Sequence, residues 1–567
     1  MLFSMSSLIV LGLGILAIVL PHLRVGTASK TLSDRAHYRI CVVLLAVGCF
    51  VRLFRLGTLP YGISAEEALV GVQAKALWQT GGFLFDGGLT TQLTQWAGES
   101  SGPLLAAITA PFVGLLGMTQ WATRLPLALL SCAAMPAMYG LGNLIGGKRA
   151  ARWCLTAYAI CPYFVLAARM TAAANAAVFL LPITLYCMLR GMEKPAALYA
   201  GMALMGLMAY AQNMYFFIAP AAVLLGGVFA ALRGMKKRHA LGASVIGMLI
   251  CLPAILTLWV NLGGYEGFEL FGVVRIPVLE NFDKQHVSSI LIPGYEVELL
   301  RQKFWAVITG GVFQVLTHIN ISAEMFAPKG LGALYILSIP LMLLGAFSLI
   351  RRLIQGERYD KQCVFYAVLV GLIACVSVFW LFVYGSIGVL NVTTGCTSVF
   401  DYSSLFLFDV LLMAAGLCHM EKRSVPGIGA LSVLLTASFV ILCLHLFGGN
   451  YQDNANVYFT GFGDLAAKAE EVREKEDTVV NVTGTVYPHL TPSDAAEMMY
   501  LYAIDADMKE TAKNPRGVYD MVYAPGIENP QTDQIYLVAQ SDVASWDLSL
   551  FGYEEMGEYA LLTPIAE

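Results

Sequence analysis

Long apolar runs, broken at intervals by small clusters of basic residues, set the rhythm of this chain. About twelve runs fall near the roughly 17–25 residues that a helix needs to cross a hydrocarbon core. They lie near 2–21, 39–55, 124–145, 153–168, 175–190, 196–212, 214–232, 240–260, 331–350, 363–384, 403–418 and 427–447. The first run lacks a basic leader and is followed by Arg24, Lys30 and Arg35, which predicts a retained signal anchor with its N-terminus outside. The basic connections are Arg24 to Arg39, Lys148 to Arg152, Arg190 to Lys194, Arg233 to Arg238, Arg351 to Lys361, and Lys422 with Arg423. They fall on one side in strict alternation and hold 19 of the 29 Lys and Arg before residue 451. The positive-inside rule makes that side cytoplasmic. Both chain ends are then expected outside.

Three segments remain for the outer side: a loop at 56–123, a second loop at 261–330, and a tail at 448–567. The run from Pro103 to Met118 is apolar, but counting it as a span would invert every later basic loop. It is expected to lie on, or dip into, the outer leaflet. Glu67 to Trp78 predicts a second short helix, with Ala68, Val72, Ala76 and Trp78 apolar and Gln73 and Lys75 polar. In the tail a helical stretch, Gly463 to Lys475, alternates with β-like runs at 478–482 and 534–538. The expected fold is therefore an all-α polytopic membrane protein over 1–447, followed by a small extracytoplasmic α/β domain over 448–567. No phosphate-cradling loop, heptad or solenoid repeat stands out.

Composition sharpens this picture. Charged residues make up 13% of the 567 and apolar ones 57%, with a mean hydropathy of +0.67. Soluble domains carry about a quarter charged residues. The net charge of −4 hides an asymmetry, because residues 451–567 hold 21 Asp and Glu against 6 Lys and Arg. An acidic tail beside a basic membrane region argues against nucleic-acid binding. All 12 cysteines precede residue 451 and none forms a CxxC pair, so neither a zinc site nor a disulfide framework is indicated.

The residues with chemical potential cluster on the outer side. Glu66 and Glu67 follow the second span, and an acidic pair at the mouth of a helical bundle is a candidate general base. The same pair also suits the first turn of a helix capped by Ser64. Arg169, where the fourth span meets the surface, is either a snorkelling anchor or a cation for a phosphate. Arg124, at the start of the third span, has the same two readings. Lys329, in a glycine-rich collar closing the second loop, is a phosphate candidate or a plain helix start. Tyr210, Gln212 and Asn213 need a wet or protein-lined cavity. Tyr61, Trp96, Trp121 and Tyr265 are candidates to stack on sugars or to anchor at the interface. His286 and His318 have no ligand spacing. Asn391 and Asn481 head formal glycosylation tripeptides.

The order of these pieces resembles the GT-C glycosyltransferases, particularly the protein O-mannosyltransferase and aminoarabinose-transferase group. The family opening of Arg-x-x-x-Leu, Pro-x-Gly-(Leu/Ile) and Asp-Glu-Ala is matched by Arg52 to Leu56, Pro60-Tyr-Gly-Ile63 and Glu66-Glu67-Ala68. Gly-Pro-Leu-Leu105, Leu116-Gly117 and Arg124-Leu-Pro126 resemble its loop helix and next span. Pro162 through Arg169 to Asn175 is similar to its Ser-Pro…Ser-Arg…Glu-x-Asn segment, and Ala209-Tyr-Ala-Gln212 with Pro220 to its Tyr-x-Tyr-His stretch. The likeness is good over 45–235, weaker to 420, and absent in the tail. It implies inverting transfer of a sugar from a polyprenyl-phosphate donor to an acceptor hydroxyl on a glycan, lipid or protein. It implies Glu66 as base, Glu67 as its companion, and Arg169 with Lys329 on the phosphate. Asn175, Tyr210 and Gln212 fall in the matched segments and are carried as substrate-binding candidates with Arg124. No cofactor is implied, and metal-independent action fits the family.

Three positions depart from the family pattern: Glu66 replaces Asp, Ala173 stands where relatives carry Glu, and Gln212 replaces His. An inactive relative is one alternative reading, resting on Ala173 and Gln212. A transporter or lipid flippase is another, but those tend to show paired broken helices in repeated halves, and no repeat is visible. The topology predicts that a membrane-impermeant thiol reagent reaches cysteines placed near Glu99, Gln285 and Asp505 and misses those near Lys237 or Arg358. Labelling at Lys237 from outside would overturn the map.

Overall fold

The computed structural model describes residues 5–23, 33–84, 86–94, 100–212, 215–279, 332–355, 371, 403–448, 461–482, 492–513 and 519–565. Its first helices are α1 (Met5–Leu23) and α2 (Asp34–Leu53). Ser33 caps α2 by accepting a hydrogen bond from Ala36 N at 3.3 Å, satisfying one orphan donor of the first turn. α3 (Ala65–Thr80) and α4 (Leu104–Leu116) follow and pack on each other. α3 includes the helix expected from Glu67 to Trp78. At 13 residues α4 rises only about 20 Å, short of the ~30 Å hydrocarbon core. Its buried face is Leu105, Ala106, Thr109, Ala110 and Val113.

The spans expected at 124–145 and 153–168 lie largely in the two helical halves of the stretch labelled α5 (Gln120–Ile160). It breaks at Gly147, whose φ of 72° a residue with a Cβ rarely adopts. The basic cluster Lys148 to Arg152 sits directly after that break. α5 stops before Pro162, which opens α6 (Pro162–Leu166) and a 3-10 turn, Ala167–Arg169. Then come α7 (Ala173–Gly191), α8 (Pro195–Met208), α9 (Tyr215–Leu232), α10 (Lys237–Gly263), α11 (Ser338–Ile354), α12 (Phe406–Arg423) and α13 (Val425–Phe447). Among the described residues, seven helices are long and apolar enough to cross a membrane. The apolar helices Ile9–Leu20, Leu104–Leu116, Pro195–Met208 and Ser338–Arg351 are shorter. The span expected at 363–384 lies outside the described residues apart from residue 371.

Helices in lipid approach closely where side chains are smallest. Gly345 on α11 lies against the Leu412 carbonyl of α12, and Gly416 on α12 against the Leu341 carbonyl of α11. At the basic end of the bundle, Glu421 of α12 accepts from Arg152 and from Trp153 Nε1 of α5, each at 2.6 Å.

The tail folds as an α/β module, as its alternating pattern predicts. α14 (Phe462–Glu476), α15 (Pro492–Ala503) and the short α16 (Met508–Thr511) accompany a five-stranded sheet. Short strands β1 (Leu89–Thr90), β2 (Leu93–Thr94), β3 (Ser100–Ser101), β4 (Phe268–Leu270) and β5 (Val274–Ile276) precede the tail, whose sheet holds β6 (Val480–Val482), β7 (Tyr519–Met521), β8 (Ile535–Ala539), β9 (Gly552–Met556) and β10 (Tyr559–Thr563) in the order β7-β6-β8-β10-β9. β6 runs parallel to β7 and β8, while β10 is antiparallel to β8 and β9. Central β8 is buried on both faces and correspondingly reads as the unbroken apolar run Ile535-Tyr-Leu-Val-Ala539. Asn481, which heads a formal glycosylation tripeptide, is buried in β6, and its amide donates to Gln534 Oε1 and Ile535 O.

The module does not stand apart from the rest of the chain. One apolar core joins Ala68, Leu69 and Val72 of α3, Ala110 and Val113 of α4, and Met499, Tyr502, Val482 and Leu537 of the tail. Gly416→Ile should push α11 and α12 apart and lower the melting temperature of the detergent-purified protein. A melting temperature equal to that of the unaltered protein would show that the close approach contributes nothing to stability.

Candidate active site

α3 begins with a reciprocal cap. Ser64 Oγ accepts from Glu67 N at 3.2 Å, and Glu67 Oε2 accepts from Ser64 N at 3.3 Å. This S-x-x-E capping box fixes the first turn of the helix. Adjacent residues on a helix point about 100° apart, so Glu66 and Glu67 cannot share a direction. Glu67 turns inward and is 1% exposed, while Glu66 is exposed.

The inward carboxylate is held from several sides. Arg124 of α5 binds it with both arms, Nε to Oε1 at 2.9 Å and Nη2 to Oε2 at 2.8 Å. Thr171 N also donates to Oε1, at 3.0 Å. Arg124 also donates to Leu56 O (3.3 Å), Pro60 O (2.9 Å) and Gly62 O (2.8 Å). The guanidinium thus ties the loop before α3 to the helix itself.

Two more buried arginines continue the pattern. Arg169 donates through Nη1 to Val51 O and Arg52 O, and through Nη2 to Arg55 O and Leu59 O, at 2.8 to 3.3 Å. These are carbonyls at and beyond the C-terminus of α2, where a cation suits the negative end of the helix dipole. The Phe447 ring lies 5.6 Å from its guanidinium carbon. Arg52 donates to Ser131 Oγ, Gly48 O, Ala159 O and Tyr158 O. Asn175 is fully buried, accepts from Tyr163 Oη at 3.0 Å, and donates to Ala167 O and Met170 O. It fixes the turn that carries Arg169.

The structure therefore separates the residues singled out in the sequence. Glu66, Glu67 and Arg124 come together at the start of α3, with Arg169 and Asn175 behind the loop that leads into it. Arg169 and Arg124, expected to face a phosphate, are each 1% exposed and donate to backbone carbonyls. A phosphate could take those donors only by breaking these bonds. Tyr210, just past α8, donates its hydroxyl to Ile250 O at 2.6 Å. Half-buried Gln212 follows two residues later. The Tyr210 carbonyl accepts from Leu104 N at 2.9 Å, which places this corner at the start of α4. Tyr265 stacks on Trp259 with ring centroids 4.5 Å apart. Lys329, Asn213, Trp96, His286, His318 and Asn391 lie outside the described residues. Among the described residues no three His, Cys, Asp or Glu side chains gather as a metal-ligand set.

Some members of the site carry no sequence signal of their own. Arg52 is visible as part of the family opening, but nothing in the sequence marks it as buried. Thr171 contributes through its backbone N–H, which any residue except proline would supply. Tyr502 lies 435 positions after Glu67 in the chain and reaches the site only through folding.

Residues 100–257 match the dolichyl-phosphate-mannose-protein mannosyltransferase family. The matched stretch is 158 of the 567 residues. It runs from just before α4 through most of α10 and includes Arg124, Arg169, Asn175, Tyr210 and Gln212; Glu66 and Glu67 precede it. No curated protein matches the chain. Among solved structures, it is similar to the Archaeoglobus fulgidus oligosaccharyltransferase in complex with zinc and sulfate, at 13% identity and a TM-score of 0.45. That alignment covers 82% of this chain and 61% of the other, so the chain spans less than two thirds of that relative. It is also similar to ArnT from Cupriavidus metallidurans in the apo state, at 13% identity and a TM-score of 0.44, covering 92% and 98%. The same protein bound to undecaprenyl phosphate gives 12% identity and a TM-score of 0.45, covering 94% and 99%. Likeness at this level decides neither substrate nor site.

Removing one partner of a buried, hydrogen-bonded ion pair leaves the other charge uncompensated and typically costs about 3–5 kcal/mol. Glu67→Ala and Arg124→Ala should each destabilise the protein on that scale, read as a marked fall in melting temperature. A melting temperature unmoved in both variants would show that the pair does not hold the site together.

Proposed function

We propose that the protein transfers a sugar, with inversion, from a polyprenyl-phosphate carrier to an acceptor hydroxyl on a cell-envelope glycan, lipid or protein. The reaction is assigned to the outer face of the plasma membrane, in a domain spanning residues 1–447, with residues 448–567 as an extracytoplasmic module. The observation that carries the reading is the division of labour between two adjacent carboxylates. Glu67 is immobilised by Arg124, Thr171 and Ser64, and this presents Glu66 as an exposed carboxylate on a fixed first turn. The matched family's name supports a lipid-phosphate-linked sugar as donor.

In this mechanism Glu66 takes the proton of the acceptor hydroxyl as its oxygen attacks the anomeric carbon from the face opposite the phosphate. The bond from that carbon to the phosphate oxygen breaks, its electron pair passes to the phosphate, and the sugar carbon carries oxocarbenium character between the two events. A cation near the leaving phosphate stabilises its growing charge. Lys329 is assigned that position. Arg169 and Arg124 are assigned to shaping the loop at 54–62, and Glu67 to aiming α3. Tyr210 and Gln212 are assigned to the neighbouring wall beside α4. No metal takes part in this scheme.

The test is transfer in proteoliposomes supplied with polyprenyl-phosphate-linked sugars. Glu66→Gln keeps size and hydrogen bonding but removes the proton acceptor. It should slow turnover by about 10²–10⁴-fold, with donor affinity and melting temperature unchanged. Near-normal turnover in Glu66→Gln would sink the base assignment and leave the pair as a helix start.

A further inference from the structure

We infer that the tail module holds the catalytic end of α3 in place and that Tyr502 is its positioning residue. The inference rests on the reading of Glu66 as the base. Beside the shared apolar core, Tyr502, Asp505 and Met508 of the module each contact α3. The Tyr502 ring packs over Gly71, where any Cβ would collide with it. Lys75 Nζ donates to both the backbone carbonyl and a carboxylate oxygen of Asp505, each at 2.6 Å. Gln79 Oε1 accepts from Met508 N, the first residue of α16, at 2.8 Å.

The Tyr502 hydroxyl reaches further than the other two. It lies 2.9 Å from Thr123 Oγ1, and both groups are buried. Thr123 gives its single hydroxyl proton to Thr119 O at 3.0 Å, so Tyr502 is the donor of the pair. Burial pushes the Tyr502 hydroxyl above its usual pKa, which keeps that donor protonated. Thr123 immediately precedes Arg124, the bidentate partner of Glu67. Its carbonyl accepts from Thr171 Oγ1 at 3.4 Å, and Thr171 N is the third donor to Glu67. A hydroxyl from the tail thus abuts the residues that clamp the neighbour of Glu66. Glu67, Gly71 and Lys75 recur every fourth residue, so Arg124 and the module grip successive turns along one stripe of α3.

The test is hydrogen exchange in the full chain in lipid nanodiscs, comparing amides 65–72 with those of α7 as an internal reference. A lost neutral hydrogen bond shifts a local opening equilibrium by about two- to tenfold. Tyr502→Phe, which keeps the ring over Gly71, should speed exchange at 65–72 by that factor and leave α7 unchanged. Thr123→Val should do the same, the double variant should do no more than either single, and Thr123→Ser should restore the native rate. In transfer from dolichyl-phosphate mannose, the probe donor, Tyr502→Phe should lower kcat with the donor KM unmoved.

Unchanged exchange at 65–72 in Tyr502→Phe, additive single variants, or a KM effect with intact kcat would each overturn the inference. The exchange comparison needs no turnover. A failure of Glu66→Gln to slow transfer would therefore remove the base assignment without touching the exchange result, and unchanged exchange would leave the base assignment standing.

Discussion

The arrangement at the start of α3 depends on the buried ion pair between Glu67 and Arg124. Both groups are removed from water, so the pair is weak as a source of net stability, because desolvation offsets much of the attraction. What it supplies is geometry. A guanidinium has five N–H donors in a rigid plane, and here they meet two carboxylate oxygens and the carbonyls of Leu56, Pro60 and Gly62. A lysine could not replace that fan of contacts, since it carries a point charge without a fixed fork. The loop between α2 and α3 has no regular structure of its own, so its carbonyls need such donors wherever they are buried.

The same solution appears three times. Arg52, Arg124 and Arg169 are among the largest fully buried side chains, and each donates to backbone carbonyls on another segment of the chain. Arg52 joins α2 to α5, Arg169 closes the end of α2 from the turn after α6, and Arg124 ties the loop at 56–62 to α3. In an apolar bundle where lipid-like side chains give little directional preference, hydrogen-bonded cations fix which helix ends meet. That ordering ends at the first turn of α3. There one carboxylate is part of the clamp and its neighbour is left at the surface.

The tail module bears on the same helix. Its core is continuous with α3 and α4, and Tyr502 enters among the residues around Arg124. A domain boundary near residue 448 is thus a boundary in composition and charge. It is not a boundary in packing, because Ala68, Leu69 and Val72 are covered partly by residues from beyond it.

The sequence by itself determined the membrane class, most of the helix positions, the α/β character of the tail and the start of α3. Each depends on local or short-range pattern: apolar length, the S-x-x-E cap at Ser64 and Glu67, and alternating tail segments. It also singled out Glu66, Glu67, Arg124 and Arg169, of which the fold brings the first three together at the start of α3. What it left open was direction. A charged residue at a span end can face lipid headgroups, a ligand or the protein interior with the same local sequence, and the choice depends on which carbonyls other segments bring near. Tertiary structure turned Arg124 and Arg169 inward, and assigned Glu67 to the clamp and Glu66 to the surface. It also brought Tyr502 against Thr123 across 379 positions of chain. The physical reason is that hydrogen-bond satisfaction in a dry interior is a long-range constraint, whereas the periodicities that reveal helices and strands are local.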